Sequence, residues 1–532
     1  MAKIQEYDVI IIGGGVTGAG VARDCSLRGL SVLTIERKDI ADGATGRNHG
    51  LLHSGARYAV GDMESASECI SENKILKKIA SACCDDTGGL FISLPEDDEA
   101  YRKTFLKSCK KAGIKARELD SNEALEMEPA ANPSLTGAVW VPDGSVDPFR
   151  LSASNFLDAQ LHGARLLTRT EVISFIKENG RVCGVEVFSH TSGSKMTFRA
   201  KIVVNAAGIW GQRIASLAGA EITMFPAKGS LLVFAHRLNN MVLNRLRKPD
   251  SGDILVPGET VTIIGTTSER VPYEEIDSIS PAENEVDLLL REGVKLCPSI
   301  ASARVLRAYC GVRPLVAQGN DKSGRNISRG IVLIDHGDRD GIDGFVTISG
   351  GKLMTYRLMA EKTADLICDK LGVNARCMTA ANFLPGSTKD SLREVGRKIW
   401  AVPTLAQKVA ADRFGTMAAE IFAEEKADKS LVCECEEVSY SEIKRALKSP
   451  DTRGLNDIRR RTRMGMGTCQ GELCASRAAC ALAREKSGAQ EALMQLASYM
   501  QERWKGIKPV AWGESLREAE FTQWVYKEVY GL

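Results

Sequence analysis

The 532 residues exceed what one hydrophobic core usually organises, so two to four domains are expected, with room to bury a large cofactor. Hydrophobic residues at 44% and charged residues at 26% exclude extensive disorder. The 70 basic and 68 acidic residues give a net charge of +2, which excludes a global field favouring nucleic acid or an anionic membrane.

No stretch approaches the ~20 apolar residues of a membrane-spanning helix, and the strand pattern begins without a signal peptide, so a cytosolic chain is expected. The chain opens as a βαβ unit, with strands over 7–12 and 31–36 and a helix over 18–28. GGGVTG (13–18) fits GxGxxG between the first strand and the helix. Gly13 permits the tight turn, Gly15 lets the backbone approach a pyrophosphate, and Gly18 lets helix and strand pack closely. Glu36 ends the second strand, where a carboxylate can accept hydrogen bonds from ribose hydroxyls. This motif alone does not separate NAD from FAD.

Further along, 63–79 reads as helix, 90–98 as strand and 101–112 as helix. A strand at 202–205, a mixed run over 224–315 and a strand-turn-helix at 344–371 follow. After the PGS turn (385–387) comes a lysine- and alanine-rich helical segment, then a cysteine-bearing module over 431–484, then a helical tail with Trp504, Trp512 and Trp524. Those tail aromatics are expected in a core, with a docking surface as the alternative.

GATGRNHGLLHSGARY (43–58), VVNAAGIWG (203–211) and FVTISGGKLMTYR (345–357) occur in this order, and together they resemble the flavin motifs of the D-amino-acid-oxidase-like superfamily. The resemblance implies an α/β, FAD-binding Rossmann fold with a mixed-sheet substrate domain. It implies cofactor contacts from Gly13, Gly15, Gly18, Glu36, Arg37, Thr45, Gly46, Ala207, Gly208, Gly350, Gly351, Lys352 and Leu353. The two glycines and lysine at 350–352 sit where a positive helix end can face the flavin.

ARY (56–58), FPAKGSLLVF (225–234), IIGTTSER (263–270), YCGVRPL (309–315), NISR (326–329) and GGKLMTYR (350–357) narrow the resemblance to FAD-dependent glycerol-3-phosphate dehydrogenases across nearly the whole chain. It implies that Arg57, Arg313 and Arg329 grip a phosphate, with Tyr58 and Lys352 as further polar contacts. Arg313 and Lys352 are also assigned to the catalytic set. The expected chemistry, oxidation of glycerol 3-phosphate to dihydroxyacetone phosphate, needs a base. Aerobic homodimeric members place a histidine two residues after the KGS glycine, where this chain has Leu231, so that assignment does not transfer. His49 and His53 lie in the flavin-loop motif; His53 is the better placed candidate, with a structural loop role as its alternative.

Cys433 and Cys435 form CxC, and Cys469 and Cys474 form CxxxxC, with 33 residues between the pairs. Four thiolates can hold one metal centre. The spacing resembles the BFD-like domain, which binds a 2Fe-2S cluster; structural zinc and unliganded core cysteines remain alternatives. Arginines 459, 460, 461 and 463 can offset an anionic cluster, dock an acidic partner, or lie solvated. The remaining cysteines read as small hydrophobes.

The expected organisation is 1–384 oxidoreductase, 385–430 helical linker, 431–484 iron-sulfur domain and 485–532 tail. Within the oxidoreductase, FAD-binding parts are expected at about 1–80, 150–220 and 330–384, and substrate parts at about 81–149 and 221–329. The resemblance to the anaerobic type of these enzymes implies B and C subunits as partners, electron delivery to a membrane quinone, and peripheral association with the cytoplasmic face of the inner membrane. The alternatives are an amino-acid or opine oxidase of the same fold and a noncatalytic electron-relay subunit.

Overall fold

The computed structural model describes residues 5–316, 330–387, 404–423 and 428–532. Arg329, with the NISR segment, and parts of the expected linker helix (388–403 and 424–427) lie outside the described residues.

The glycine-rich end belongs to an eight-stranded sheet whose parallel heart runs Arg165–Leu167, Val32–Ile35, Gln5–Ile12 and Ser194–Asn205. Phe345–Gly350 adds in parallel to the second half of Ser194–Asn205, and Ile331–Asp335 pairs antiparallel to it. Strands buried on both faces read as continuous apolar runs, as VIII (9–12) and VLTI (32–35) do. Helices Val16–Leu27, Pro148–Leu161 and Tyr356–Leu371 cover one face, and their Ala19, Ala22, Cys25, Phe156, Ala360 and Ile367 share its core.

The strand expected at 90–98 ends at Ser93, and two further boundaries differ from the periodicity for tertiary reasons. The first helix begins at Val16 because the Thr45 hydroxyl, from a separate loop, accepts the Val16 N–H at 3.0 Å. The strand expected at 202–205 reaches back to Ser194 because its first half pairs antiparallel with Arg181–Ser189.

A second, nine-stranded sheet draws on residues 89–316. Its longest pairing joins Met224–Ala235 to Val305–Val316, antiparallel along nearly their whole length. Helix Glu283–Leu296 presents Val286, Leu289 and Leu296 to the core formed with Leu232, Phe234, Leu255 and Ile264.

Past Leu431, helices Tyr440–Leu447, Leu455–Thr462, Ala475–Leu482 and Gly488–Ile507 enclose a separate small core of Ile443, Leu455, Ile458, Ala478, Leu482 and Leu496. Ser439 caps the first of these helices reciprocally with Glu442. Helix Gly513–Tyr530 follows, and here the expected aromatic core is corrected: Trp512 is 48% and Trp524 59% exposed. Only Tyr526, Ala519 and Thr522 of that helix turn inward.

The arginine run is largely neither solvated nor turned outward. Arg460 pairs with Asp39 at 3.1 Å and with Asp42 at 2.5 Å, Arg461 with Asp39 at 2.9 Å, and Arg463 with Asp147 at 2.9 Å and Glu436 at 2.8 Å. Asp39, Asp42 and Asp147 belong to the first, glycine-rich part of the chain, so these arginines bolt the cysteine module onto it. Arg169 reciprocates with Asp457 at 2.5 Å.

Candidate active site and cysteine centre

The turn after Gln5–Ile12 is built for close approach. Gly13 has φ +123°, and a Cβ there would stand 2.5 Å from the Ala206 carbonyl oxygen. A Cβ on Gly18 would lie 2.0 Å from the Gly13 oxygen, so Gly18 serves helix-strand packing rather than the cavity wall. The Glu36 carboxylate accepts the Gly14 N–H at 2.6 Å and the Lys38 N–H at 2.8 Å; burial pushes its pKa up against those two bonds. Arg37 stacks on Trp210 at 4.6 Å and pairs with Asp277 at 2.8 Å, so its charge is already answered at the rim.

These residues open into a cavity of about 1350 Å³. One end is lined by Gly13, Gly15, Glu36, Arg37, Ala207 and Gly208; the other by His53, Arg57, Tyr58, Arg313, Gly351 and Lys352. Thr45, Gly350 and Leu353 line it as well. Gly46 does not: it borders a neighbouring cavity, and a Cβ there would stand 2.3 Å from the Ala41 carbonyl oxygen and 2.5 Å from the Phe149 ring. Its expected cofactor contact is corrected to a packing role. The cavity's volume, the glycine cradle and the Glu36 carboxylate fit a dinucleotide, and the cationic group fits a small anion beside it.

At the cationic end, the Arg57 Nη2 donates to the Asp250 carbonyl at 2.9 Å and to Asp253 at 3.3 Å, while its Nη1 is buried with no acceptor. Arg313 donates to the Thr267 carbonyl at 2.9 Å and to the Thr266 hydroxyl, and its guanidinium lies over Gly229, where a Cβ would come within 2.7 Å. Lys352 donates to Ser65 at 2.9 Å and stands 4.7 Å above the Tyr58 ring. His53, 7% exposed, sits between the rings of His49 at 6.0 Å and Tyr58 at 5.4 Å. Its loop is clamped by Asn73, whose side-chain amide donates to the carbonyls of Leu52, His53 and Pro142.

His49 is different. Burial first, then the nearby Arg57 and Arg313, pull its pKa down to about 3, and its Nδ1 accepts the Leu51 N–H at 3.1 Å. It is therefore a neutral imidazole whose Nδ1 lone pair is taken, which leaves Nε2 to donate.

The four cysteines of the module form a chain of neighbours, Cys433 to Cys474 to Cys469 to Cys435. Cys433 and Cys474 are buried, and Cys435 and Cys469 are half-buried. The Cys474 thiol, then the Leu473 and Gly471 N–H groups, pull Cys469 down to about 5 against its burial; Cys474 and backbone N–H groups lower Cys433 as well. Among the described residues, no three His, Cys, Asp or Glu side chains are gathered as a single-ion site. The loop fits a cluster held close to backbone: Gly465 and Gly471 have positive φ, a Cβ on either would stand 2.0 Å from the Tyr499 hydroxyl, and one on Gly467 would stand 2.5 Å from the Cys435 Cβ.

Comparison with known proteins identifies the domain that carries each site. Residues 8–357 match the family model for FAD dependent oxidoreductases, and 431–484 the model for a BFD-like [2Fe-2S] binding domain. The A subunit of anaerobic glycerol-3-phosphate dehydrogenase from Haemophilus influenzae is 58% identical over 99% of this chain and 93% of its own length. The chain belongs to that family. The Escherichia coli K12 member is 57% identical over 99% of this chain and 97% of its own. A crystal structure of glycerol-3-phosphate dehydrogenase from Bacillus halodurans complexed with FAD superposes with a TM-score of 0.74 at 23% identity, covering 96% of this chain and 97% of that one, and shares the fold.

Like its family, then, the chain is an FAD-dependent enzyme with a 2Fe-2S domain, and zinc at the four cysteines is set aside. Sequence reasoning misses the residues that hold the arginines: Asp253, buried and shared between Arg57 and Arg247, and Thr266 and Thr267. The two threonines do lie inside a recognisable motif, IIGTTSER. Asp253 carries no such signal, because its importance comes from two arginines brought to it only by the fold.

Proposed function

We propose that this chain oxidises sn-glycerol 3-phosphate to dihydroxyacetone phosphate and passes the electrons through its 2Fe-2S domain. The reading rests above all on one observation: a single cavity runs from the glycine turn and Glu36 to the cationic group of Arg57, Arg313 and Lys352. Three cations converging on one end of a cavity suit an anionic substrate and disfavour a neutral or hydrophobic one. FAD, when bound, supplies the hydride acceptor.

The chain's own residues do the rest. Arg313, fixed by Thr266 and Thr267, and Arg57, fixed by Asp253, hold the phosphate dianion with parallel N–H donors. Lys352, anchored by Ser65 and Tyr58, adds a third cation. Arg329 joins this set by the family resemblance. His49 donates from Nε2 to a substrate oxygen, and His53 accepts the C2 hydroxyl proton. The purified protein is expected to bleach its flavin anaerobically with glycerol 3-phosphate and not with amino acids. Bleaching by amino acids alone is the opposite result.

Its relatives are named as A subunits, which supports assembly with B and C subunits. In this reading the C subunit carries electrons to membrane quinone and the complex sits on the cytoplasmic face of the inner membrane. Among the described residues, no helix is long and apolar enough to cross a membrane.

A further inference from the structure

A second cavity, of about 1120 Å³, lies between the flavin-type domain and the cysteine module. Its wall includes Cys435, Met466 and Gln470 of the cysteine loop. Most of its charges are paired within the chain: Arg150 with Asp147 and Glu259, Arg237 with Asp85, Arg413 with Glu442, Arg460 with Asp39, and Lys505 with Glu502.

Arg307 and Arg459 are the exception. Among the described residues neither has a carboxylate within ion-pair distance, and the Nε of each is buried with no acceptor. Arg307 comes from strand Val305–Val316 and Arg459 from helix Leu455–Thr462, so each side of the interface contributes one guanidinium. The Arg307 Nη1 donates to the Gln470 side chain at 3.4 Å, and Gln470 directly follows Cys469. Gln470 in turn donates to the Met466 and Gly467 carbonyls at 3.0 and 2.9 Å, which ties it to the loop around the cysteines. The Arg307 guanidinium lies against Gly506, where a Cβ would meet Nη2 at 2.6 Å. Tyr499, against which Gly465 and Gly471 are packed, is in the electrostatic reach of both arginines and of Cys433 and Cys474. Glu502, a carboxylate whose charge both arginines feel, is exposed and 3.9 Å from Lys505.

Two half-buried cations whose Nε atoms are buried without an acceptor, and which lack carboxylate partners, are unfavourable unless an anion answers them. The anion this loop is built to hold is a thiolate-ligated iron pair, which gains one further negative charge when it takes up an electron. Fixed positive charge close by favours the more negative, reduced form. We propose that Arg307 and Arg459 form a cationic clamp that raises the electron affinity of the cluster held by Cys433, Cys435, Cys469 and Cys474. The inference rests on the assignment of that cluster.

The strand that carries Arg307 gives the clamp a second meaning. Residues 307, 309, 311 and 313 alternate onto one face of Val305–Val316. Arg307 reaches the cysteine loop, Tyr309 donates to the Asn48 carbonyl at 2.8 Å, Gly311 makes room for Arg47, and Arg313 faces the substrate end of the first cavity. One rigid strand thus fixes the clamp relative to the site where electrons enter.

The test is a potentiometric titration of the holoenzyme, with the reduced cluster read by its electron paramagnetic resonance signal. Arg307→Gln and Arg459→Gln are each expected to shift the oxidised-to-reduced ratio at a fixed ambient potential about threefold toward oxidised. The double variant is expected to shift it about tenfold, the equivalent of about 59 mV for a one-electron couple. Arg307→Lys and Arg459→Lys, which keep the charge, are expected to stay near the wild-type value. Ratios are compared at equal iron and sulfide content, and Arg307→Gln, outside the module's own core, provides a variant that leaves the module fold intact. An unchanged ratio in that variant and in the double variant overturns the clamp while the cluster stands. A wild-type protein with iron-free cysteines overturns the clamp and the cluster assignment together.

Discussion

Arg461 holds both oxygens of Asp39, at 2.9 and 3.0 Å, across the boundary between the cysteine module and the flavin-type domain. Asp39 is 3% exposed, and the same carboxylate also receives Arg460 at 3.1 Å. A bidentate pair in such surroundings fixes orientation as well as distance. Electron transfer between two centres needs that fixity, because the module otherwise keeps a core of its own and could move as a unit.

Removing one partner of this network should therefore loosen the module more than it unfolds the enzyme. Asp39→Asn leaves Arg461 without its charge partner and Arg460 dependent on Asp42, a change that costs on the order of 3–5 kcal/mol at buried pairs. The expected outcome is faster proteolytic release of residues past 430 and slower flavin-to-cluster transfer, with the rate of flavin reduction by substrate retained. Stopped-flow spectroscopy separates the two steps. The arginines and burial act oppositely on Asp39, and the arginines prevail, so its carboxyl lies below the usual range. A depressed carboxylate contributes stability above its unfolded pKa, near ~3.9, that is lost as pH falls. The docking contribution should accordingly be constant at neutral pH and disappear only in acid.

Substrate binding should depend on Arg313 through its geometry as well as its charge. Arg313→Lys keeps a cation but loses the fork that Thr266 and Thr267 orient. Losing a hydrogen-bonded charge contact of this kind costs about 2–5 kcal/mol, so kcat/KM for glycerol 3-phosphate should fall about 30-fold or more. The flavin content should stay at the wild-type level.

The two cavity histidines should separate by pH. His53→Gln is expected to lower flavin reduction by about 10²–10⁴-fold and to flatten its pH dependence, the signature of a lost general base. His49→Gln should leave the shape of that profile in place. Its pH-dependent effect is on stability: the native pKa near 3 lies below the unfolded value of ~6.5, so between these the unfolded chain binds the proton. Stability from this group is present above ~6.5 and declines as pH falls toward 3. The melting temperature of His49→Gln should thus fall less steeply than that of the wild type from pH 7 to pH 4.

Gly13→Ala tests the cofactor end. The positive φ of +123° and the 2.5 Å approach to the Ala206 carbonyl together leave no relaxed place for a methyl group. The purified variant should retain less than about half of its flavin by absorbance, at unchanged 2Fe-2S content, since the module has a separate core.

Much of this is legible in the sequence where a residue's role is set by its immediate neighbours along the chain. The glycines of GGGVTG announce a turn, and their spacing from Glu36 announces what the turn faces. The CxC and CxxxxC pairs announce a centre for the same reason. Residues whose partners arrive from far away are not legible. Arg460, Arg461 and Arg463 look like a charge run, and only the fold supplies Asp39, Asp42 and Asp147, more than 300 positions earlier, to neutralise them. Trp512 and Trp524 mislead in the opposite direction: an aromatic residue is core by prior expectation, but the turn of helix Gly513–Tyr530 that packs inward is set by Tyr526, whose hydroxyl reaches the Glu472 carbonyl at 2.5 Å.

The most direct measurement is one anaerobic titration of purified holoprotein with glycerol 3-phosphate, following flavin absorbance and the cluster's paramagnetic signal together. The account predicts that substrate bleaches the flavin first and that the reduced-cluster signal then grows in at its expense. A flavin that stays oxidised in excess substrate, or one that bleaches while the cluster never takes an electron, would contradict it.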